Sequence, residues 1–439
     1  MRDAIAVTEK GTGSQRHPTG LYVLFFTEMW ERFSYYGMRS LLVYYMIKHL
    51  QFTQERSSEI YGLYTGFVYF TPLFGGMLAD RLLGQRRTVI LGAVLMAIGH
   101  FLMAVERTFF PALIFLILGN GAFKPNISTQ VGALYHQGDH RRDRAFSVFY
   151  MGINLGAFFS PLVCGTLGEK IGFHWGFGCA GVGMVVGLVV YLRGQKYLAP
   201  DLIMQKKGSK QRTSSEPMTH EDWLKIGAIF VMMALSILFW SVYEQQGNTM
   251  ALWADAYTDR MIFGWEMPAS WFQSFNPLMI FMFVPLLNIF WGWQDRGGKE
   301  PSSIAKMGTG CILLAAAFLI LILPARELAV NPKASLWWLA ACALVLTIGE
   351  IYFSPIGLSL VTKIAPARIV SMMMGVWFLS SFFGNYLSGY LGTFWEKMSK
   401  ENFFLLMFAL SFAAGLAFFA LLKPLKKAIG HGKQTATDV

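Results

Sequence analysis

The sequence predicts an all-α membrane protein of twelve transmembrane helices arranged as two six-helix bundles. Three observations predict it. Of the 439 residues, 54% are hydrophobic and only 14% are charged, against about 25% charged in a soluble domain. Apolar runs long enough to cross a bilayer, which takes roughly 20 residues, recur along the whole chain between short polar stretches. The alternating ten-residue segments of a membrane β-barrel are missing from the pattern.

The runs place spans at 20–48, 58–79, 88–106, 109–133, 145–168, 175–193, 224–246, 272–293, 304–323, 335–361, 369–395 and 402–422. Between the sixth and seventh, the stretch from Gly194 to Asp222 has no apolar run and contains Lys206, Lys207, Gly208, Ser209 and Lys210. It reads as a linker. The expected organisation is therefore a first bundle over 1–193, a linker over 194–222, a second bundle over 223–424 and a tail over 425–439.

The formal net charge of +11 is better explained by loop topology than by nucleic acid, because membrane proteins concentrate Lys and Arg in cytoplasmic loops. Of the 37 Lys and Arg, twenty-five fall in the termini and the loops on their side. Nine fall in the opposite loops, namely Lys48, Arg56, Arg107, Lys170, Arg260, Arg326, Lys333, Lys397 and Lys400. This predicts cytoplasmic termini in a multi-pass protein of the cell (inner) membrane. The polar first twenty residues do not read as a signal peptide. Cys164, Cys179, Cys311 and Cys342 all lie in apolar segments, which suggests packing and no disulfide framework.

The two halves echo each other. Phe158-Phe159 followed by Gly165-x-Leu167-Gly168 on span five matches Phe382-Phe383 followed by Gly389-x-Leu391-Gly392 on span eleven, an offset of 224 residues. Gly119-x-x-x-Phe123-x-Pro125 on span four matches Gly349-x-x-x-Phe353-x-Pro355 on span ten, an offset of 230 residues. Pairing span n with span n+6 makes the repeats parallel, as in the halves of the major facilitator fold.

Ionisable residues deep in spans are costly and mark pathways or partners. Here they are Glu28, Glu31, Arg32 and Arg39 on span one, Lys124 on span four, Glu244 on span seven and Glu350 on span ten. Each lies on the first helix of a three-helix group, the helices that line the central cavity of a major facilitator. His100 on span three is the exception and reads as a satisfied packing histidine. On span one, Glu28, Glu31, Arg32, Tyr35 and Arg39 share one helical face. Glu28 and Arg32 can pair, whereas Arg39 has no carboxylate within a turn. The set holds four carboxylates and three cations. Low dielectric disfavours the charge of the surplus carboxylate and neighbouring cations favour it, so that group can take up and release a proton. Lys124 and Glu350, at matching points of the repeat, are expected to pair across the cavity between substrates.

These residues fall in motifs that resemble the proton-dependent oligopeptide transporters, the POT or PTR family of the major facilitator superfamily. The motifs are Glu28-x-x-Glu31-Arg32-Phe33-x-Tyr35-Tyr36-Gly37-Met38-Arg39, Gly75-Gly76-x-x-Ala79-Asp80-Arg81 and Phe123-Lys124-Pro125-Asn126. They continue with the Phe239-Trp240 to Glu244-Gln245 stretch, Asn276-Pro277, and Glu350 with Ser354-Pro355-x-Gly357, so that nearly the whole chain is covered.

The resemblance implies a proton-coupled symporter that imports di- and tripeptides by alternating access, with no cofactor and no metal. Glu28, Glu31 and Arg32 would couple proton movement to transport. Lys124, Arg39 and Tyr35 would hold the peptide carboxylate, and Glu350 would meet the amino group. Asn154 and Asn276 would bond the peptide backbone, and Tyr69, Trp240, Trp377 and Ser381 would shape side-chain pockets. Glu244 would pair with Arg39 as a gate. Asp80-Arg81 with Arg86-Arg87 would form a conformational latch at a helix end. Peptide, protons and lipid are the expected partners, nucleic acid is not, and a monomer is expected. A major facilitator for another solute, such as nitrate or a drug, shares the fold. A membrane-embedded enzyme would need a nucleophile–base pair or metal cluster, and the sequence offers neither at a suitable spacing.

Overall fold

The computed structural model describes residues 17–136, 139, 141–200, 218–366 and 369–430. Most of the expected linker and the last nine residues of the expected tail lie outside the described residues.

The first half contains α1 (Thr19–Tyr44), α2 (Gln54–Phe70), α3 (Pro72–Leu78), α4 (Gln85–Met103), α5 (Phe109–Ala133), α6 (Arg141–Ser160), α7 (Thr166–Lys170) and α8 (Phe173–Gly194). Span one is α1, extended by a π-helical turn over Tyr45–His49. Span two is α2 and α3, divided at Pro72, whose missing N–H interrupts the backbone ladder. The Thr71 hydroxyl at that break donates to Phe67 and Ile117 carbonyls at 3.0 and 2.9 Å. Span five is α6 and α7, joined by a π-helical turn that begins at Pro161.

The second half contains α9 (His220–Tyr243), α10 (Thr249–Ala256), α11 (Phe275–Arg296), α12 (Ser303–Arg326), α13 (Leu336–Ile364), α14 (Val370–Gly392), α15 (Lys400–Ala420) and α16 (Leu422–Ile429). A capping box between Thr219 and Asp222 starts span seven, α9. Spans eight to twelve are α11 to α15. Between spans seven and eight lie α10 and a hairpin of β2 (Met261–Ile262) with β3 (Trp265–Glu266). Between α10 and the hairpin, β1 (Thr258–Asp259) pairs in parallel with β4 (Ala334–Ser335), which precedes span ten.

Among the described residues, nine helices are long and apolar enough by themselves to cross a membrane. The three other long elements differ for visible reasons. Buried charge interrupts α1, Pro72 divides span two, and Gly, Ser, Asn and Tyr dilute the apolarity of α14.

Packing repeats with the sequence. In the first half α1 packs on α6 and α8, and α4 packs on α5 and α8. In the second half α9 packs on α14 and α15, and α12 packs on α13 and α15. The halves meet along two seams, α2 against α14 and α6 against α11. Span two against eleven is the image of span eight against five, so the seams are related by the same repeat.

The recurring glycines explain themselves here. A Cβ on Gly119 would sit 2.8 Å from the Gly92 carbonyl, and one on Gly349 would sit 2.9 Å from the Gly310 carbonyl. Each pair brings two helices into backbone contact, where no larger residue fits. Gly389 does the same across the seam, where a Cβ would meet the Gly62 Cα at 2.7 Å.

Buried apolar side chains form two clusters. One is drawn from residues of the first half, such as Leu24, Phe123 and Phe177, and the other from the second, such as Met232, Phe318 and Phe353, joined by Tyr44 of α1. Outward-facing residues such as Ile114, Leu118, Leu286 and Ile289 are exposed and apolar, as a lipid-facing surface requires. All four cysteines are free. His100 is fully buried, as expected, but it is not satisfied: neither ring nitrogen has a hydrogen-bond partner among the described residues.

Candidate functional site

A cavity of about 300 Å³ lies between the two halves. Spans one, four, seven and ten supply Tyr36 and Arg39, Lys124, Trp240 with Glu244, and Glu350 with Ser354. The seams supply Tyr69 from span two, Tyr150 and Asn154 from span five, Gln273, Asn276 and Pro277 from span eight and its approach, and Trp377, Phe378 and Ser381 from span eleven.

The roof is an ion pair between halves. Arg39 reaches the Glu244 carboxylate through Nη2, and its Nε donates to the Tyr61 hydroxyl at 2.8 Å. Arg39 and Glu244 are 9% and 2% exposed, so the pair is essentially dry. Tyr61 reaches this position because residue 247 is glycine; a Cβ there would meet the hydroxyl at 1.9 Å. The carboxylate that Arg39 lacks on its own helix is therefore supplied by span seven.

Beside the cavity, on the adjoining face of α1, lies the second charged group. Arg32 takes the Glu31 carboxylate in a fork, with Nη2 to Oε1 at 2.7 Å, and its Nε also lies 3.2 Å from Glu28 Oε1. Asn120 on α5 donates to Glu31 at 3.4 Å. The expected pairing of Glu28 with Arg32 forms, and the neighbouring Glu31 makes the more extensive contact. Glu28, Glu31 and Arg32 are buried but do not line the cavity. Lys124 does, and it is close enough to act electrostatically on both carboxylates.

Two expected placements need correction. Lys124 and Glu350 do not pair. Glu350 instead accepts from Asn276 Nδ2 at 2.7 Å, and Asn276 also donates to Thr347 at 3.1 Å. Lys124 has no carboxylate within 4 Å among the described residues and places its ammonium 4.5 Å from the centre of the Tyr69 ring. The reason is proximity: spans eight and ten are neighbours within one half, so Asn276 reaches Glu350 without crossing the cavity. Tyr35 is not part of the lining either. It sits 5.2 Å from the Arg32 guanidinium, and the next residue, Tyr36, faces the cavity.

The remaining expected residues do face the cavity. Asn154 donates to the Tyr150 carbonyl at 3.0 Å, and the buried Trp240 indole N–H has no partner among the described residues. Trp377 and Ser381 lie together on α14. Tyr150, Tyr243, Gln246 and Gln273 line it too and were missed by sequence reasoning, because uncharged residues in apolar helices give no signal. The expected latch residue Arg86 donates to the Leu198 and Ala199 carbonyls at 2.5 and 2.6 Å, tying span three to the chain that leaves span six.

A bundle of long apolar helices around a buried, charge-lined cavity between repeat-related halves defines a membrane transporter. The sequence matches the POT family over residues 86–201 and 196–407, and the chain belongs to that family. It is 34% identical over 449 residues to the peptide transporter YePEPT of Yersinia enterocolitica subsp. palearctica serotype O:3 (strain YE-P4), covering 86% of this chain and 88% of that one. It is 30% identical over 482 residues to a di-/tripeptide transporter of Lactococcus lactis subsp. cremoris, covering 94% and 97%. A crystal structure of a peptide transporter POT in complex with sulfate superposes with a TM-score of 0.86 at 32% identity, covering 95% and 96%. A POT family transporter in complex with a thioalcohol-conjugated peptide gives 0.84 at 29% identity, covering 93% and 97%.

Proposed function

We propose that this chain is a proton-coupled symporter that imports di- and tripeptides by alternating access. The observation that carries the reading is the polarity of the cavity. Arg39 and Lys124 come from one half, and Glu350 with Asn276 comes from the other. A short peptide has a carboxylate at one end and an ammonium at the other. Bound between these poles it bridges the halves and favours their closure, which is what alternating access requires. Its carboxylate would meet Lys124, which has no ion-pair partner of its own among the described residues. Its ammonium would meet Glu350, oriented by Asn276, with Asn154 bonding the backbone and Trp240, Trp377, Tyr69 and Ser381 around the side chains.

Proton coupling is assigned to Glu28, Glu31 and Arg32, with Glu244 as the second site. Three charges locked in one dry cluster cannot change protonation without disturbing Lys124 beside them. The face of the bundle where α1 begins and α15 ends is assigned to the cytoplasm, from the concentration of basic residues there. The opposite face, closed over the cavity by Arg39 and Glu244, is then outside. The functional units are a bundle over 1–193, a linker over 194–222, a bundle over 223–424 and a tail over 425–439, acting as a monomer in the cell (inner) membrane.

Uptake of labelled dipeptide into proteoliposomes tests the reading. Accumulation should require an inward proton gradient, and unlabelled di- and tripeptides should compete. Uptake that free nitrate or a non-peptide drug inhibits, and peptides do not, would assign the cavity to another solute.

A further inference from the structure

On the face opposite the termini, the outer end of the seam between spans five and eight is fastened by several contacts. The Ser274 hydroxyl donates to the Phe158 carbonyl at 2.7 Å, and the Trp271 indole N–H donates to the Thr166 hydroxyl at 2.9 Å. Gly165 abuts Ser270, where a Cβ would lie 2.0 Å from Oγ. At the end of the seam, Glu169 spreads its two carboxylate oxygens over consecutive backbone amides: Oε2 accepts from Ala269 N–H and Oε1 from Ser270 N–H, each at 2.8 Å.

Glu169 belongs to the first half, and both amides belong to the second. The side chain is 11% exposed. Behind the amides sits Arg260, 10% exposed, whose Nη1 lies 4.0 Å from Glu169 and 2.6 Å from the Met267 carbonyl. Arg260 Nη2 also reaches Asp255 at 3.4 Å and Glu266 at 2.9 Å. The arginine thus folds the 255–267 segment on itself and presents the amides to Glu169. Other charged ties across the halves on this face, Lys48 with Asp255 and Lys397 with Glu55, have exposed lysines and are worth little.

We propose that Glu169 is a latch of the outer gate, a positioning residue that sets how readily the cavity opens to that face. The proposal rests on the alternating-access reading. Opening requires spans five and eight to part there, and a tie made in only one of two states biases their equilibrium by its whole worth. The Arg39–Glu244 pair faces the cavity and can respond to its contents. Glu169 does not line the cavity, so it acts as a constant bias. Arg260 acts through it by ordering the 255–267 segment that leads into the amides.

The test measures access to the cavity from outside. Gln273, which lines the cavity, is replaced by Cys in a background with the four native cysteines changed to Ala. Right-side-out vesicles are treated with a membrane-impermeant maleimide. Glu169→Gln should raise the labelling rate about tenfold, since a charge-assisted double bond is lost from the closed state alone. Glu401→Gln is the control: it breaks the Arg326–Glu401 pair on the same face, at 2.6 Å, but within one half. It should leave labelling unchanged. Labelling of Glu169→Gln at the parent rate overturns the proposal, as does an equal rise in the control. If Glu169→Gln does not accumulate in the membrane, Glu169→Asp, which keeps the charge and shortens the reach, should raise labelling severalfold, and the parent rate again overturns the latch. A parent chain that transports no dipeptide would defeat the transport reading instead, a result the labelling assay does not share.

Discussion

Arg39 and Glu244 meet across the two halves at the roof of the cavity, 205 residues apart in sequence and both buried. Removing one member of a buried pair leaves the other charge without compensation, at a cost of about 3–5 kcal/mol. Removing both leaves no orphan. Glu244→Gln and Arg39→Gln should each lower the thermal stability of the purified protein, and the double variant should recover much of the loss. Losses that simply add would mean that the two side chains act independently. Arg39→Lys should not restore transport, because a lysine cannot hold Glu244 and the Tyr61 hydroxyl with one planar fork.

Glu31 occupies the fork of Arg32, while Glu28 touches only its Nε. Glu31→Gln therefore disturbs the cluster more than Glu28→Gln. Both variants should lose gradient-driven accumulation of dipeptide by at least about tenfold. Exchange of labelled for unlabelled peptide without a gradient should survive, because neither residue lines the cavity. Retention of full accumulation in both would reduce the cluster to a structural brace.

What the sequence makes legible follows from what membranes penalise. Charges in apolar helices stand out, and so Glu28, Glu31, Arg32, Arg39, Lys124, Glu244 and Glu350 could be picked without a structure. Of these, Arg39, Lys124, Glu244 and Glu350 line the cavity. Helical phase is harder to read. Tyr35 and Tyr36 are neighbours about 100° apart on one helix, and the shared face of Glu28 and Arg32 predicts Tyr35, whereas Tyr36 is the one in the cavity. Partners chosen in three dimensions are harder still. The repeat puts Lys124 and Glu350 at matching points, but nothing in one dimension says that Asn276 reaches Glu350 first. The outer latch is silent in sequence because half of it is backbone: Glu169 binds the amides of Ala269 and Ser270, and any residue but proline would offer the same donors there.

The glycine contacts predict where small residues are indispensable. Gly62 and Gly389 touch across the seam between spans two and eleven, and a Cβ on Gly62 would lie 2.5 Å from the partner's Cα. Backbone atoms cannot step aside as a flexible side chain can. Gly62→Val should force the seam apart, abolish uptake and lower thermal stability by about 1–3 kcal/mol. At Gly178 nothing lies within 4 Å of an added Cβ, so Gly178→Ala should change neither. Normal uptake by Gly62→Val would show that the seam does not need backbone contact.

Glu350 and Lys124 sit at opposite poles of the cavity without pairing, and that separation sharpens what each should recognise. A carboxylate already paired with a lysine would exchange one cation for another when a peptide arrived. Glu350 instead gives up no ionic partner; it bonds only neutral groups, the Asn276 amide and the Tyr243 hydroxyl. On the proposed pose, the peptide ammonium would therefore add a charge-assisted bond, of about 1.5–3 kcal/mol. Glu350→Gln should weaken binding of an ordinary dipeptide by about tenfold to a hundredfold. It should weaken an Nα-acetylated dipeptide far less, since that ligand has no ammonium to lose. Asn276→Ala should follow the same pattern more mildly, because Glu350 would remain but be less well oriented. Lys124 gives the mirror result: Lys124→Gln should weaken the ordinary and the acetylated dipeptide alike and spare the C-terminal amide. Binding to the purified protein, measured calorimetrically with all three ligands, separates these cases. Equal losses for the free and acetylated peptides on Glu350→Gln would mean that Glu350 does not read the amino terminus, and the two-pole assignment of the cavity would fail with it.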